Sequence, residues 1–211
     1  MDTENQENLD WPNLKKYRQE NHDLSSTVNS GKRIVFMGDS ITEGWSGLYP
    51  DFFENKDHIN RGISGQTTPQ MLIRFKPDVI DLSPSTVVIL AGTNDIAENT
   101  GPSNVKMITD NIFSMADLAS AHKIDIILCS VLPVYEYTWK KILDVPSYIY
   151  GVNTMLKDYC TDKSLRYIDY FSAMANEKKG LGEDLSEDGV HPNEKGYKIM
   201  SRAAESILYS K

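Results

Sequence analysis

The chain has 211 residues, of which 40% are hydrophobic and 25% charged, so it is long and apolar enough to form one domain with its own core. These proportions exclude a disordered tail, a collagen-like repeat and a small disulfide-stapled module. The formal net charge is −8 and no basic block is present, which argues against a nucleic-acid partner. The apolar runs are too short to cross a bilayer, so we expect no transmembrane segment.

The first 24 residues are predicted to form a tail and a surface helix. Residues 1–10 are polar and expected to fray, and residues 13–24 show a mostly polar helical pattern that Trp11, Leu14 and Tyr17 would anchor. Residues 25–211 are predicted to form a single domain, because no internal repeat or linker interrupts them. No charged and apolar leader pattern opens the chain, so we expect a cytoplasmic protein or, as the favoured alternative, an exported one whose leader has been removed.

Beyond residue 31, short apolar runs alternate with segments of helical periodicity. Strands are predicted at residues 33–37, 59–61, 86–91, 124–131 and 165–169, and helices at residues 69–75, 102–122, 147–159 and 192–209. Five buried strands that alternate with helices predict an α/β domain whose parallel sheet is covered on both faces. Ligands bind at the carboxyl ends of the strands in such sheets, so the residues that follow each strand are the candidate site.

The cysteines and histidines indicate neither a disulfide framework nor a metal site. Cys129 lies in an apolar run and Cys160 in a helical pattern, so both are expected to be buried free thiols. The four histidines are scattered without the spacing of metal ligands. We therefore expect neither a metal nor a cofactor.

A serine and two glycines follow the first two predicted strands. Ser40 stands in Gly38-Asp39-Ser40, just before a helix, where a serine is most often only a cap. It could also be a nucleophile at a helix N-terminus, where backbone N–H groups can stabilise an oxyanion. After the second strand, Gly62 and Gly65 allow a tight turn and a close backbone approach to a ligand.

An amide and an acid–base pair stand at later strand ends. Asn94 follows the third strand and is either a turn residue or a side-chain donor to a developing oxyanion. Asp188 precedes His191 by three residues, and Gly189 permits a tight turn between them. That pair is either an ordinary loop before a helix or a base with its orienting carboxylate. Together with Ser40, these residues predict catalysis by a serine nucleophile.

In these blocks the sequence resembles the SGNH (GDSL-like) esterase and lipase family. The matching blocks are Gly38-Asp39-Ser40-Ile41, Gly62-Ile63-Ser64-Gly65, Gly92-Thr93-Asn94-Asp95 and Asp188-Gly189-Val190-His191-Pro192. They lie between residues 33 and 196, nearly the whole domain. One departure, Ile41 where the first block often has Leu, is conservative.

The resemblance implies a flavodoxin-like, three-layer α/β/α sandwich with a five-stranded parallel sheet, and ester hydrolysis through an acyl-serine. It implies that Ser40 is the nucleophile, His191 the general base and Asp188 its orienting partner. It also implies an oxyanion hole formed by the backbone N–H groups of Ser40 and Gly65 and the side-chain amide of Asn94. The nucleophile elbow of α/β-hydrolases is a poorer match, because it needs glycine where this chain has Thr42.

The substrate is less constrained than the chemistry. Residues 133–150 carry five aromatic side chains: Tyr135, Tyr137, Trp139, Tyr148 and Tyr150. These rings could stack on a sugar, or they could simply cover the sheet edge. Trp45 could shape a small acyl pocket, or it could belong to the core.

The absence of a long apolar stripe beside the site favours a short acyl group. We therefore predict an acetyl ester of a carbohydrate or of a similar small molecule as the substrate. A lysophospholipase- or thioesterase-type acylhydrolase is the alternative within the same family. A non-catalytic anion-binding module built on residues 38–44 is a third reading, which the acidic Asp39 and Glu43 disfavour.

Overall fold

The structure is a computed structural model that describes residues 10–27, 31–54 and 57–209. The expected fraying of the N-terminus falls almost wholly outside these residues. Within them, no helix combines the length and apolarity that crossing a membrane requires.

A five-stranded, fully parallel sheet forms the centre of the molecule. Its strands are β1 (Ile34–Gly38), β2 (His58–Gly62), β3 (Thr86–Leu90), β4 (Asp125–Cys129) and β5 (Arg166–Ile168). They are arranged in the order β2-β1-β3-β4-β5, which confirms the predicted flavodoxin-like sheet. Because β1 pairs with β2 on one side and β3 on the other, the loops that follow β2 and β3 flank the carboxyl end of β1.

Helices cover both faces of this sheet. They are α1 (Arg18–Ser26), α2 (Ser40–Leu48), α3 (Thr68–Asp78), α4 (Thr93–Ile96), α5 (Val105–Ala121), α6 (Val145–Lys163), α7 (Tyr170–Met174) and α8 (Glu194–Leu208). Alternate residues of β1 face opposite sides, so Val35 and Met37 pack with α3, α5 and α6, whereas Phe36 packs with α2, α7 and α8. The result is the expected three-layer α/β/α sandwich.

The N-terminal helix begins later than its polar pattern predicts. Asn13 adopts a positive φ of 55°, and the Asp10 side chain accepts hydrogen bonds from the backbone N–H groups of Leu14 and Lys15 at 2.7 and 3.0 Å. These contacts form a turn, and α1 starts only at Arg18. The expected anchors Trp11 and Leu14 are wrong, because they are 46% and 37% exposed, whereas Tyr17 is buried as predicted.

Capping residues account for the other helix boundaries. Asn104 accepts a hydrogen bond from the N–H of Met107, so α5 starts at Val105 rather than at the preceding proline. Asp144 caps α6 in the same way, which extends that helix two residues beyond its predicted start. Asn193 caps α8. A capping side chain therefore fixes the first residue of each helix, and hydrophobic periodicity does not reveal such a side chain.

The interior resolves two further expectations. Trp45 is buried and stacks on Phe52, with ring centroids 4.4 Å apart, so it belongs to the core and the acyl-pocket alternative is wrong. Cys129 and Cys160 are buried and free, as predicted.

Candidate active site

Ser40 lies at the turn from β1 into α2. Asp39 caps α2 by accepting a hydrogen bond from the N–H of Ile41 at 2.9 Å, which makes Ser40 the first residue of the helix. A Cβ on Gly38 would lie 2.0 Å from Thr42 Oγ1 and 2.9 Å from the carbonyl oxygen of Leu90. Only glycine therefore permits this tight turn, which leaves Ser40 partly exposed at the end of the sheet.

Ser40, His191 and Asp188 form a continuous hydrogen-bonded chain. Ser40 Oγ lies 2.9 Å from His191 Nε2, and His191 Nδ1 lies 2.6 Å from Asp188 Oδ2. A neutral imidazole that donates from Nδ1 to a carboxylate presents an acceptor at Nε2, which can take a proton from the serine hydroxyl. Ser40 and His191 are 151 positions apart in the chain, yet their side chains are in direct contact, as proton transfer from serine to imidazole requires.

The backbone around Asp188 fixes its carboxylate. Asp188 Oδ1 accepts hydrogen bonds from the N–H groups of Val190 and His191 at 2.9 and 2.8 Å and from Ser186 Oγ at 3.1 Å. Gly189 makes this loop possible with a φ of +77°. Partial burial opposes ionisation, but the hydrogen bonds from His191 and from these backbone groups outweigh it and lower the pKa of Asp188 to about 2. The carboxylate is therefore ionised at neutral pH.

The loop after β2 lies directly against the nucleophile turn. The N–H of Ile63 donates to the carbonyl oxygen of Gly38 at 3.1 Å, and a Cβ on Gly62 would lie 2.1 Å from the backbone nitrogen of Glu43. Glu43 Oε2 also accepts a hydrogen bond from the N–H of Ser64 at 2.6 Å. Gly65 follows with a φ of +75°.

Two backbone donors are available at this junction. The described residues offer no hydrogen-bond partner to the N–H of Gly65 or to that of Ser40 at the start of α2. Unpaired N–H groups at a helix start and in a neighbouring turn can stabilise a negative oxygen. These are the two backbone groups that the resemblance implies as oxyanion donors.

Asn94 ties the third strand end to the same loop. Its Nδ2 donates to the carbonyl oxygen of Gln66 at 3.0 Å, and its Oδ1 accepts from Asn99 Nδ2 at 2.9 Å. Asn99 Nδ2 also donates to the carbonyl oxygen of Gly65 at 3.2 Å. A primary amide has two N–H bonds, so one remains for a ligand while the other holds the loop.

Two buried carboxyl groups lie beside this arrangement. Burial raises the pKa of Asp39 to about 7, although the N–H of Ile41 and the nearby His191 oppose the increase. Burial also raises the pKa of Asp95 to about 6, against hydrogen bonds from Thr68. Asp95 accepts from the N–H of Thr68 at 2.9 Å, so it fastens the start of α3 to α4. Both acids have a structural partner, and both titrate closer to neutrality than an exposed aspartate.

The aromatic segment after β4 packs against the loop that carries Asn94. Tyr137 is buried and its hydroxyl donates to the carbonyl oxygen of Thr93 at 2.9 Å. Trp139 lies against Tyr137, with ring centroids 5.2 Å apart, and is 49% exposed. Lys140 pairs with Glu98 at 3.0 Å. The segment is therefore anchored through one ring while another is open to solvent.

A groove opens beside the imidazole of His191. Its volume is about 310 Å³, and its lining includes Leu48, Asp188, His191 and Pro192. The groove thus borders the imidazole and the carboxylate of the candidate triad.

Residues that link the site loops were not identified from the sequence. Arg74 and Asp78 form a buried ion pair at 2.9 Å, and Arg74 also donates to Gln66 Oε1 and to the carbonyl oxygen of Gly38. A usable signal was present, because Arg74 and Asp78 lie one turn apart on the helix face that also carries Met71. A charged pair on an apolar face indicates a buried polar contact.

A parallel α/β/α sandwich that brings serine, imidazole and carboxylate into contact at its strand ends is typical of hydrolases with a serine nucleophile. Residues 36–199 match the model of the GDSL-like Lipase/Acylhydrolase family, and the chain belongs to that family. Membership places it in the class of carboxylic ester hydrolases.

A solved protein is similar over nearly the entire chain. It is a GDSL-like lipase from Bacteroides thetaiotaomicron VPI-5482, with 46% sequence identity and a TM-score of 0.90, and the match covers 93% of this chain and 97% of the lipase. The sandwich and its strand order are thus found in a protein of the same family.

Three curated relatives are similar at lower identity. The uncharacterized lipoprotein YqeF of Bacillus subtilis (strain 168) is 31% identical, over 49% of this chain and 49% of the lipoprotein. An arylesterase of Vibrio mimicus is 25% identical, over 80% of this chain and 84% of the arylesterase. An acetylxylan esterase of Xylanibacter ruminicola is 24% identical, over 83% of this chain and 43% of the esterase. The match thus spans about half or less of the lipoprotein and of the acetylxylan esterase.

Proposed function

We propose that the protein hydrolyses esters of short acyl groups through an acyl intermediate on Ser40. His191 acts as the general base and acid, and Asp188 orients it. The observation that carries this proposal is the unbroken chain from Ser40 Oγ to His191 and Asp188, with contacts of 2.9 and 2.6 Å. A serine hydroxyl is a weak nucleophile until a neighbouring base takes its proton.

The reaction proceeds in two proton-balanced halves. Ser40 Oγ attacks the ester carbonyl carbon while His191 Nε2 takes the hydroxyl proton, and the carbonyl electron pair moves onto its oxygen. When the tetrahedral intermediate collapses, the alcohol leaves with the proton from His191. Water then attacks the acyl-serine while His191 Nε2 takes a proton from it. When the second tetrahedral intermediate collapses, His191 returns this proton to Ser40 Oγ and the carboxylic acid is released. Asp188 stays ionised and stabilises the imidazolium in both halves.

The developing oxyanion is stabilised by the N–H groups of Ser40 and Gly65 and by the free amide N–H of Asn94. This assignment is supported by the unpaired state of the two backbone groups among the described residues. The hydrogen bond from Asn94 to Gln66 supports it further, because it holds the amide in place before substrate binds. Donors that are fixed in advance need no reorganisation during the reaction.

The covalent step is tested by labelling with an organophosphonate. The reagent is expected to add its mass to the peptide that contains Ser40, and the Ser40→Ala variant is expected to lose both the label and esterase activity. Labelling of a different serine, or undiminished hydrolysis by Ser40→Ala, contradicts the proposed mechanism.

The favoured substrate is an acetyl or similarly short ester whose alcohol carries a ring, such as a carbohydrate. The groove beside His191 has a volume of about 310 Å³, which suits a small group. Trp139 is 49% exposed and packs on Tyr137, whose hydroxyl donates to the carbonyl oxygen of Thr93, the residue before Asn94. Aromatic faces of this kind stack on sugar rings. The names of the arylesterase and the acetylxylan esterase agree with an ester whose alcohol is cyclic.

Substrate class is tested with acetyl, butyryl and octanoyl esters of one alcohol, together with acetylated xylo-oligosaccharides. We expect kcat/KM to fall as the acyl chain lengthens. Trp139→Ala is expected to raise KM for the acetylated sugar but not for methyl acetate, whose alcohol has no ring. Tyr150→Ala is the matched control, since Tyr150 is an exposed aromatic residue on α6. Faster hydrolysis of octanoyl esters would instead favour a lysophospholipase- or thioesterase-type enzyme.

We further propose that the protein acts outside the cytoplasm. The support is the lipoprotein among its relatives. Fractionation of cells that express the protein from its own gene is the test, and recovery in the cytoplasm alone would contradict the proposal.

A further inference from the structure

The guanidinium of Arg74 is buried between three segments of the site. Arg74 lies on α3 and its side chain is 0% exposed. Nη1 pairs with Asp78 Oδ2 at 2.9 Å, Nη2 donates to the carbonyl oxygen of Gly38 at 2.8 Å, and Nε donates to Gln66 Oε1. The planar fork of arginine matches these three acceptors at once, which a lysine ammonium on a flexible stem cannot do.

Two of these contacts, those with Gly38 and Gln66, lead towards groups of the proposed mechanism. Gly38 precedes Asp39 and Ser40, and its carbonyl oxygen also accepts from the N–H of Ile63 at the start of the neighbouring loop. Gln66 directly follows Gly65, and its carbonyl oxygen accepts from Asn94 Nδ2 at 3.0 Å. The guanidinium therefore joins the segment that carries Ser40 to the loop that carries Gly65, and Gln66 extends this link to Asn94.

The energetic cost of this contact indicates a role beyond stability. Burying an ion pair such as Arg74 and Asp78 is often no better for stability than packing apolar side chains of similar volume. In return, the pair supplies a charged donor group with fixed geometry where loops from three strand ends meet.

We infer that Arg74 is a positioning residue that sets the spacing between Ser40 and the oxyanion donors. It acts through the carbonyl group of Gly38 and through Gln66 and does not touch the substrate. The inference rests on the proposed function.

The chain offers a matched control in Arg33. This arginine is also buried, and it donates to the carbonyl oxygens of Leu82 and Leu24 at 2.5 and 3.2 Å. It precedes β1, at the end of the strand opposite Ser40. Arg74 contacts the carboxyl end of β1, whereas Arg33 lies next to its amino end. Arg33→Lys thus removes contacts of a buried arginine that is far along the strand from Ser40.

Steady-state kinetics and thermal unfolding of Arg74→Lys and Arg33→Lys test the inference. We expect Arg74→Lys to lower kcat by roughly 10- to 100-fold at nearly unchanged KM, because small misplacements of catalytic groups cost about that much. Arg33→Lys is expected to lower Tm but to keep kcat within about twofold. Gln66→Met breaks the same link from the other side and is expected to behave as Arg74→Lys does, so the test holds even if Arg74→Lys does not fold.

A double-mutant cycle separates positioning from general destabilisation. In the Asn94→Ala background, Arg74→Lys is expected to lower kcat by less than about threefold, because residues that act through one network are not additive. Any of three results overturns the inference. The first is an equal loss of kcat in both backgrounds, and the second is an equal effect of the two arginine variants. The third is a kcat within about twofold of the parent for both Arg74→Lys and Gln66→Met. Ser40→Ala in the same assay keeps the two proposals distinct. If it is inactive while Arg74→Lys is unimpaired, only the role of Arg74 is wrong; if Ser40→Ala retains activity, both proposals fail.

Discussion

Asn94 has a structural role that is compatible with the proposed catalytic one. It is a buried residue of the short helix α4 and holds the neighbouring loop through Gln66, which is a structural role. Its second amide N–H is free to act on a substrate oxygen. The structural and the proposed catalytic role therefore use different hydrogens of the same side chain.

At the scale of single residues, we expect Asn94→Ala to lower kcat by roughly 10²- to 10³-fold while KM changes little. This loss corresponds to ~2.7–4 kcal/mol of transition-state stabilisation. The loss is concentrated in kcat because the contact strengthens as charge develops on the oxygen. Steady-state kinetics measure it, and thermal unfolding records the accompanying loss of stability.

Asn153→Ala is the matched control for that loss of stability. Asn153 bridges the backbone N–H and carbonyl groups of Val131 at 2.8 and 3.0 Å, so its removal also frees a loop. We expect it to lower Tm without lowering kcat. If both variants lose kcat in proportion to their loss of stability, Asn94 is a turn former only.

At the scale of secondary-structure elements, the cap of α2 couples stability to pH. Asp39 accepts from the N–H of Ile41 while burial raises its pKa from 3.8 to about 7. Between pH 3.8 and about 7, Asp39 is therefore protonated in the folded state but ionised in the unfolded chain. The stability that this group contributes is fully present below pH 3.8 and is lost as the pH rises through 7.

Replacing Asp39 with asparagine should remove this dependence, because asparagine caps a helix equally well and does not titrate. The Tm of Asp39→Asn minus that of the parent protein is expected to increase between about pH 4 and 7 and to level off above. Thermal unfolding from pH 4 to 8 measures the difference. A difference that stays constant over this range would mean that Asp39 is ionised throughout.

At the scale of the whole molecule, the N-terminal segment is integrated with the site. Gln66 Nε2 donates to the carbonyl oxygen of Pro12 at 2.6 Å, and the Tyr17 hydroxyl donates to that of Gly62. Lys16 pairs with Glu43, which also holds Ser64. The segment therefore packs on the loop that carries the proposed oxyanion donor Gly65.

Deletion of residues 1–24 is expected to lower Tm and to reduce kcat, because Gln66 and Glu43 lose partners that hold the loop. Thermal unfolding and ester hydrolysis of the truncated chain provide the measurement. A truncated chain with undiminished Tm and activity would show that residues 25–211 are a self-sufficient domain and that the first 24 residues are dispensable.

The order of the strands and helices could be predicted, because apolar runs ended by glycine or proline are local signals. Helix starts at Val105 and Val145 depend on the caps Asn104 and Asp144, which hydrophobic periodicity does not reveal. The candidate triad could be nominated because Ser40 directly follows a strand and because Ser40, Asp188 and His191 lie in blocks that resemble those of a known family. The link from Arg74 to the site loops could not, because it joins segments that are distant in the chain.

Strand register also bears on how such an enzyme could be altered. Gly38 lies level with Gly62 on one side and Leu90 on the other, so three loops leave the sheet at the same height. A single inserted residue in β2 would shift its loop by about 3.3 Å and turn its side chains to the opposite face. Residues 133–150 leave the sheet after β4 and are fastened to the site through Tyr137. If this segment contacts the substrate as proposed, lengthening its exposed part would alter substrate preference. The three loops after β1, β2 and β3 would keep their relative positions.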